Sequence, residues 1–161
     1  MISKRARNTV LVAATFIVVA RSLYPNAAAA PVADACGLLT QEQVSRALGV
    51  AVGPGSLIMG GSPRVCGWAE PAKSAPAAKK VVVSLMTGPQ YAVGKEPMRG
   101  VDNEPLSGLG DEAYYITAGA FGTGLTVRKG DAYFQVRVGG FPKPQVMDME
   151  KSLALLIVPK V

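Results

Sequence analysis

The sequence predicts an α+β domain: an antiparallel β-sheet of about four to six strands with an N-terminal and a C-terminal helix packed on one face. Three observations carry that expectation. Residues 40–49 hold both ends of a short helix, β-prone runs separated by turn residues fill 65–138, and helical spacing returns after Val146. Strands joined by short turns pair antiparallel, because parallel neighbours need long crossovers.

The first helix is the clearest local signal. Thr40 as N-cap and Gln43 three residues later form a capping box. Leu39 before the cap and Val44 at the fourth helical position fit a hydrophobic staple, and Val44, Ala47 and Leu48 share one face. Gly49 supplies the left-handed stop.

Gly49–Pro63 is a glycine-rich loop around a short strand near Leu57–Met59. It lacks both phosphate-cradling patterns, G-x-x-x-x-G-K-[ST] and G-x-G-x-x-G. Val65–Ala69 reads as a strand with Cys66 and Trp68 on one face, since side chains alternate. Trp68 is expected to pack over a core disulfide; the competing reading is a ring that stacks a ligand. Glu70–Ala78 is a turn, and Val81–Met86 is a strand that buries Val81, Val83 and Leu85.

Gly88–Gly110 holds three prolines and five glycines and reads as a long excursion with room for one short irregular strand or helix. Glu112–Thr117 is a strand, and Leu125–Val138 is a hairpin turning at Gly130-Asp131. In the tail, Val146, Met149, Leu153 and Leu156 repeat at helical spacing, and Pro159 ends the helix near Val158.

Charge and the first 30 residues belong together. The chain of 161 residues has 17 basic and 11 acidic side chains and no histidine. Lys4, Arg5, Arg7 and Arg21 lie in the first 30 positions, which hold no acid, leaving 13 basic against 11 acidic residues in 31–161. That balance excludes a strongly basic nucleic-acid binder, and the missing histidine excludes histidine triads, bases and metal sites. Residues 1–30 read as a cleavable secretory signal: a positive start, the 12-residue apolar run Thr9–Ala20, then Pro25 and several A-x-A registers. The run would span roughly 18 Å as a helix, against about 30 Å of hydrocarbon core, so no stable membrane span is expected after cleavage. Residues 31–161 are then expected to form one exported domain, secreted or in the periplasm or cell envelope.

Export changes what Cys36 and Cys66 mean. They are the only two cysteines and allow one pairing, and closing a loop of about 30 residues contributes on the order of 3–4 kcal/mol in the chain-entropy model. The alternative, a reactive thiol, lacks a histidine partner and C-x-x-C spacing.

Cys36-Gly37-Leu38-Leu39-Thr40 leads into a helix that ends Ala47-Leu48-Gly49. With Cys66-Gly67-Trp68, Gly108-Leu109-Gly110-Asp111-Glu112-Ala113 and Leu125–Asp131, it resembles a family of small exported proteins and lipoproteins, common in actinobacteria, whose domain has no known function. The resemblance covers nearly all of the chain after the signal. It implies a Cys36–Cys66 pair and a helix-on-sheet domain, and it implies no activity. Many members are lipid-anchored; here Cys36 lies 15 residues past Ala20 and follows Ala33-Asp34-Ala35, so a lipid anchor is not expected.

No pattern of catalytic residues emerges. Asp111-Glu112 is the one adjacent carboxylate pair, and consecutive strand residues point to opposite faces, a poor arrangement for paired-acid chemistry. Asp111 is expected to bond backbone N–H groups at a turn. Asp102, Glu104 and Asp111 lack the spacing of a calcium loop, Ser56 and Ser62 lie in no G-x-S-x-G, and Gly119, Gly122 and Gly124 are turn glycines. No catalytic residue, metal ligand or cofactor site is assigned. The one surface feature is on the hairpin, where Arg128 faces Tyr133, Thr126 faces Gln135 and Gly124 faces Arg137. This strip is expected to stay open to solvent, either as a plain solvated face or as a docking face in which Arg128, Tyr133 and Arg137 meet a partner. The expected function is a non-catalytic binding or interaction module of the envelope, its partner an unidentified envelope protein or small ligand, with no nucleic acid. A carboxylate- or serine-based envelope hydrolase is the alternative. The oligomeric state is left open.

Overall fold

The computed structural model describes residues 34–62, 64–71, 78–119 and 122–161. The expected export segment and most of the Glu70–Ala78 turn lie outside the described residues. The described elements are α1 (Gln41–Leu48), β1 (Ser56–Leu57), β2 (Val65–Ala69), β3 (Lys80–Leu85), α2 (Gly88–Lys95), β4 (Asp102–Leu106), β5 (Glu112–Thr117), β6 (Thr123–Lys129), β7 (Ala132–Gly139) and α3 (Lys143–Ile157). The fold is α+β with one antiparallel sheet in the order β1-β2-β3-β7-β6-β5-β4. It has seven strands rather than four to six, and three helices rather than two.

The two additions come from the excursion after β3. Thr87 caps α2 through a second capping box with Gln90, and a proline sits in the first turn. The chain then crosses to the far edge of the sheet and forms β4. Asp-Asn-Glu-Pro-Leu is a poor strand sequence, and its pairing with β5 overrides that weakness. Pro105 is tolerated because β4 is an edge strand.

The expected helix start is present: Thr40 accepts the Gln43 N–H, Gln43 accepts the Thr40 N–H, and Gly49 stops α1 at φ 65°. Leu39 and Val44 are both buried, as a staple requires. The hairpin turns at Gly130-Asp131, fixed by the pairing of Lys129 with Ala132, and Gly130 takes the positive φ that the turn needs.

One buried cluster holds the alternating residues of β2, β3 and β5–β7, among them Trp68, Val83, Leu125, Phe134 and Val136, together with Val44 and Leu48 of α1. Helix α3 contributes Val146, Leu153, Ala154 and Ile157 to the same cluster. Its inward stripe is rotated from the spacing read in the sequence: Leu156 is exposed, Met149 is half-buried, and Glu150 is buried instead. Pro159 falls in a terminal 3-10 turn at Val158–Lys160. Cys36 and Cys66 form a disulfide that ties the turn at Ala35–Gly37 to β2, which fits a periplasmic or extracellular location. Trp68 lies in this core, so it is a packing residue here.

Glu150 has a particular place. The β6–β7 ladder runs from Lys129–Ala132 to Leu125–Val136, and the next free donor, the Val138 N–H, goes to Glu150 Oε1 at 3.0 Å. Thr123 donates its hydroxyl to the same oxygen at 3.3 Å, while Glu150 Oε2 is buried with no partner. The carboxyl therefore replaces a missing cross-strand acceptor and joins α3 to both strands.

Candidate functional site

The expected register of the hairpin strip is present. Arg128 pairs with Tyr133 and Thr126 with Gln135, while Leu125, Val127, Phe134 and Val136 are buried toward the opposite face. Gln135 donates to the Thr126 hydroxyl at 3.0 Å across the two strands. The strip is not left to solvent, however, because α2 lies over part of it. Thr126 is fully buried, and the Tyr91 ring of α2 sits 5.4 Å from Tyr114 and 5.2 Å from Tyr133, centroid to centroid.

Gly94 allows α2 to come this close. A Cβ at Gly94 would lie 2.8 Å from the Tyr114 hydroxyl, and one at Gly88 would touch the Tyr133 ring. Tyr114 donates to the Tyr91 carbonyl at 3.0 Å, and Asn103 of β4 donates to the carbonyls of Gly94 and Lys95 at the end of the helix. Burial, reinforced by the Glu112 carboxylate, raises the Tyr91 phenol well above its ordinary pKa.

Charges at this joint are matched. Glu112 accepts from Lys95 of α2 and pairs with Arg128 at 3.6 Å. The Lys95 hydrogen bond holds its carboxyl below the usual range. Asp111 accepts the Gly130 N–H at 2.7 Å and Lys129 Nζ at 3.0 Å, bonds that likewise depress its pKa. The backbone group it finds belongs to the distant hairpin turn, so Asp111 ties the Gly108–Gly110 loop to that turn.

Beside the joint is an open groove of about 460 Å³ walled by Lys95, by Asn103, Pro105 and Leu106, and by the loop and strand start from Ser107 to Tyr114. Its walls mix apolar and polar groups, and its charged edge is the Lys95–Glu112 pair with Asp111. The volume lies within the range of small-molecule sites.

The structure thus brings Arg128 and Tyr133 together at the α2 joint and leaves Arg137 two pairs further along the sheet. Cys36 and Cys66 are joined. Asp102 and Glu104 are exposed on edge strand β4, away from the ion-paired Asp111. Among the described residues no helix is long and apolar enough to cross a membrane, and no cluster of three or more metal-ligating side chains occurs. The sequence reading missed Tyr91, Lys95 and Asn103, which build the joint. The signal for α2 was Thr87-Gly-Pro-Gln90, the same box that marks α1. Comparison of the chain with protein-family models, curated proteins and solved structures finds no match.

Proposed function

We propose that this chain is an exported, non-catalytic binding domain of the cell envelope that takes up its partner in the groove between α2, β4 and the Gly108–Gly110 loop. One observation carries the reading: the carboxylates bordering the groove, Asp111 and Glu112, are both engaged by cations and held ionised. A general acid needs the opposite tuning, a proton retained near the working pH. A recess of mixed polarity with a fixed charged edge suits recognition. The disulfide supports export, as does the cleavable signal read in residues 1–30. The family resemblance to small exported proteins belongs to the same proposal, as does the closure of one sheet face by the terminal helices. The opposite face, with Arg128, Tyr133 and Arg137, is the docking side.

The test is to fill the groove without touching the core. Ser107 is exposed on the wall, so Ser107→Trp should leave folding intact and remove whatever envelope component co-purifies with the parent chain. Lys151→Ala, on the exposed side of α3, should retain it. Equal recovery by Ser107→Trp and the parent would reject the groove.

A further inference from the structure

Outside the groove, the half of the docking face that α2 leaves uncovered is built from β3 and β7. Its long polar side chain is Arg137. The side chain lies over the bare backbone of Gly124, where a Cβ would sit 2.9 Å from its Nε. Among the described residues Arg137 makes no hydrogen bond or ion pair, and its Nε is buried without a partner. Residues 1–33, 63, 72–77 and 120–121 contain no aspartate or glutamate, and the acid whose charge reaches Arg137 is Glu150 of α3, itself bonded to the Val138 N–H and the Thr123 hydroxyl.

A second cation stands beside it. Arg137 pairs with Val82 and Gly139 with Lys80, which makes Lys80 the diagonal neighbour of Arg137, roughly 7–8 Å away on the same face. Lys80 lies over Gly139 as Arg137 lies over Gly124, with its Cε 3.2 Å from where a Cβ at 139 would be. Glu112, already held by Lys95 and Arg128, is the one acidic strand residue on this side of the sheet. Two cations resting on glycines, with no acid between them, leave a positive seat on the strand floor.

We propose that Arg137 and Lys80 form a binding site for a phosphate group carried on a soluble or polymeric chain. The planar guanidinium offers paired donors that match phosphate oxygens, and Lys80 adds a point charge from the neighbouring strand. Two cations exceed what one carboxylate balances and suit the charge of roughly −2 on a phosphate monoester. A lipid surface does not fit. Helix α2 stands on the same face over Tyr114 and Tyr133, and a helix about 10–12 Å thick holds a flat bilayer off the strand floor.

The experiment follows the backbone amide resonances of Lys80–Val82 and Arg137–Gly139, and in the parent also the Arg137 Nε–H resonance, while inorganic phosphate is added to the disulfide-bonded protein at constant ionic strength. A saturable shift is expected, weakened about tenfold or more in Arg137→Gln and about threefold in Lys80→Ala. Lys151→Ala and Ser107→Trp should bind phosphate as the parent does, so this site and the groove fail independently. No saturable shift, or unchanged affinity in Arg137→Gln, overturns the proposal. If Arg137→Gln does not fold, the parent resonance and Lys80→Ala decide, and unchanged affinity in Lys80→Ala rejects the site. Vesicles of phosphatidylserine in phosphatidylcholine should not bind through Arg137; binding there without a phosphate response would reassign the face to membranes.

Discussion

The two faces of this sheet are built by different rules. On one face the strands present Trp68, Val83, Leu125, Phe134 and Val136, all buried in one cluster with residues of α1 and α3, with a disulfide at one margin. On the other face the same strands present Thr126, Arg128, Gln135 and Arg137; α2 covers the end where Arg128 pairs with Glu112 and Gln135 bonds Thr126, and it leaves Arg137 uncovered. The first face gains stability from removing apolar area from water. The second gains little, because exposed ion pairs contribute a fraction of a kcal/mol. What it offers is position: charged and aromatic groups fixed by a rigid sheet whose stability comes from the other side.

Substitutions should separate the faces. The largest loss is expected from Phe134→Ala, which empties a fully buried site and should cost about 3–5 kcal/mol in urea unfolding. A loss below about 1 kcal/mol would mean that the closed face does not carry the fold. Cys66→Ala should cost about 2–5 kcal/mol, and the oxidised protein should show no thiol in denaturing, non-reducing titration.

Glu150 makes the closed face sensitive to pH. Burial pushes its carboxyl up to about 7, against which the Val138 N–H, the Thr123 hydroxyl and Arg137 act weakly. The folded state therefore binds this proton more tightly than the unfolded chain, whose glutamate titrates near 4.5. The stability that the proton confers is full below pH 4.5, falls as pH rises, and is gone above about 7, a change on the order of 3 kcal/mol. Glu150→Gln keeps an acceptor for Val138 and should flatten the pH 4.5–7 slope. Asp111 and Glu112, held low, act in the opposite sense and only at more acid pH. A Glu150→Gln protein with the parent's slope would place the titration elsewhere.

Smaller effects compare the two capping boxes. Thr40→Ala and Thr87→Ala should each cost about 1 kcal/mol of helix stability. Amide exchange should differ: loss of the Thr87 cap speeds exchange in Tyr91–Lys95 by local opening and leaves β7 protected. Equal acceleration throughout the sheet would show that α2 is part of the global unit.

These boxes also show what the sequence revealed. Thr40-Gln-Glu-Gln43 leads into an apolar stripe and was legible; Thr87-Gly-Pro-Gln90 leads into a helix whose one buried side chain is Tyr91, and it fell within a long excursion with room for one short strand or helix. The strands with alternating β-branched and aromatic residues were plain, whereas β4 exists through its partner alone. Helix α3 was legible in extent and misread in phase, because a carboxylate occupies a position that periodicity assigns to apolar residues. The hairpin register placed Arg128, Tyr133 and Arg137 correctly, but their surroundings depended on a crossover helix that no local pattern connects to them.

The division between the faces is tested most directly by combining Lys80→Ala with Arg137→Gln and measuring urea unfolding and phosphate affinity on the same preparation. Stability is expected to stay within about 0.5 kcal/mol of the parent while phosphate binding is lost. A double variant that unfolds readily, or one that binds phosphate as the parent does, would contradict the division.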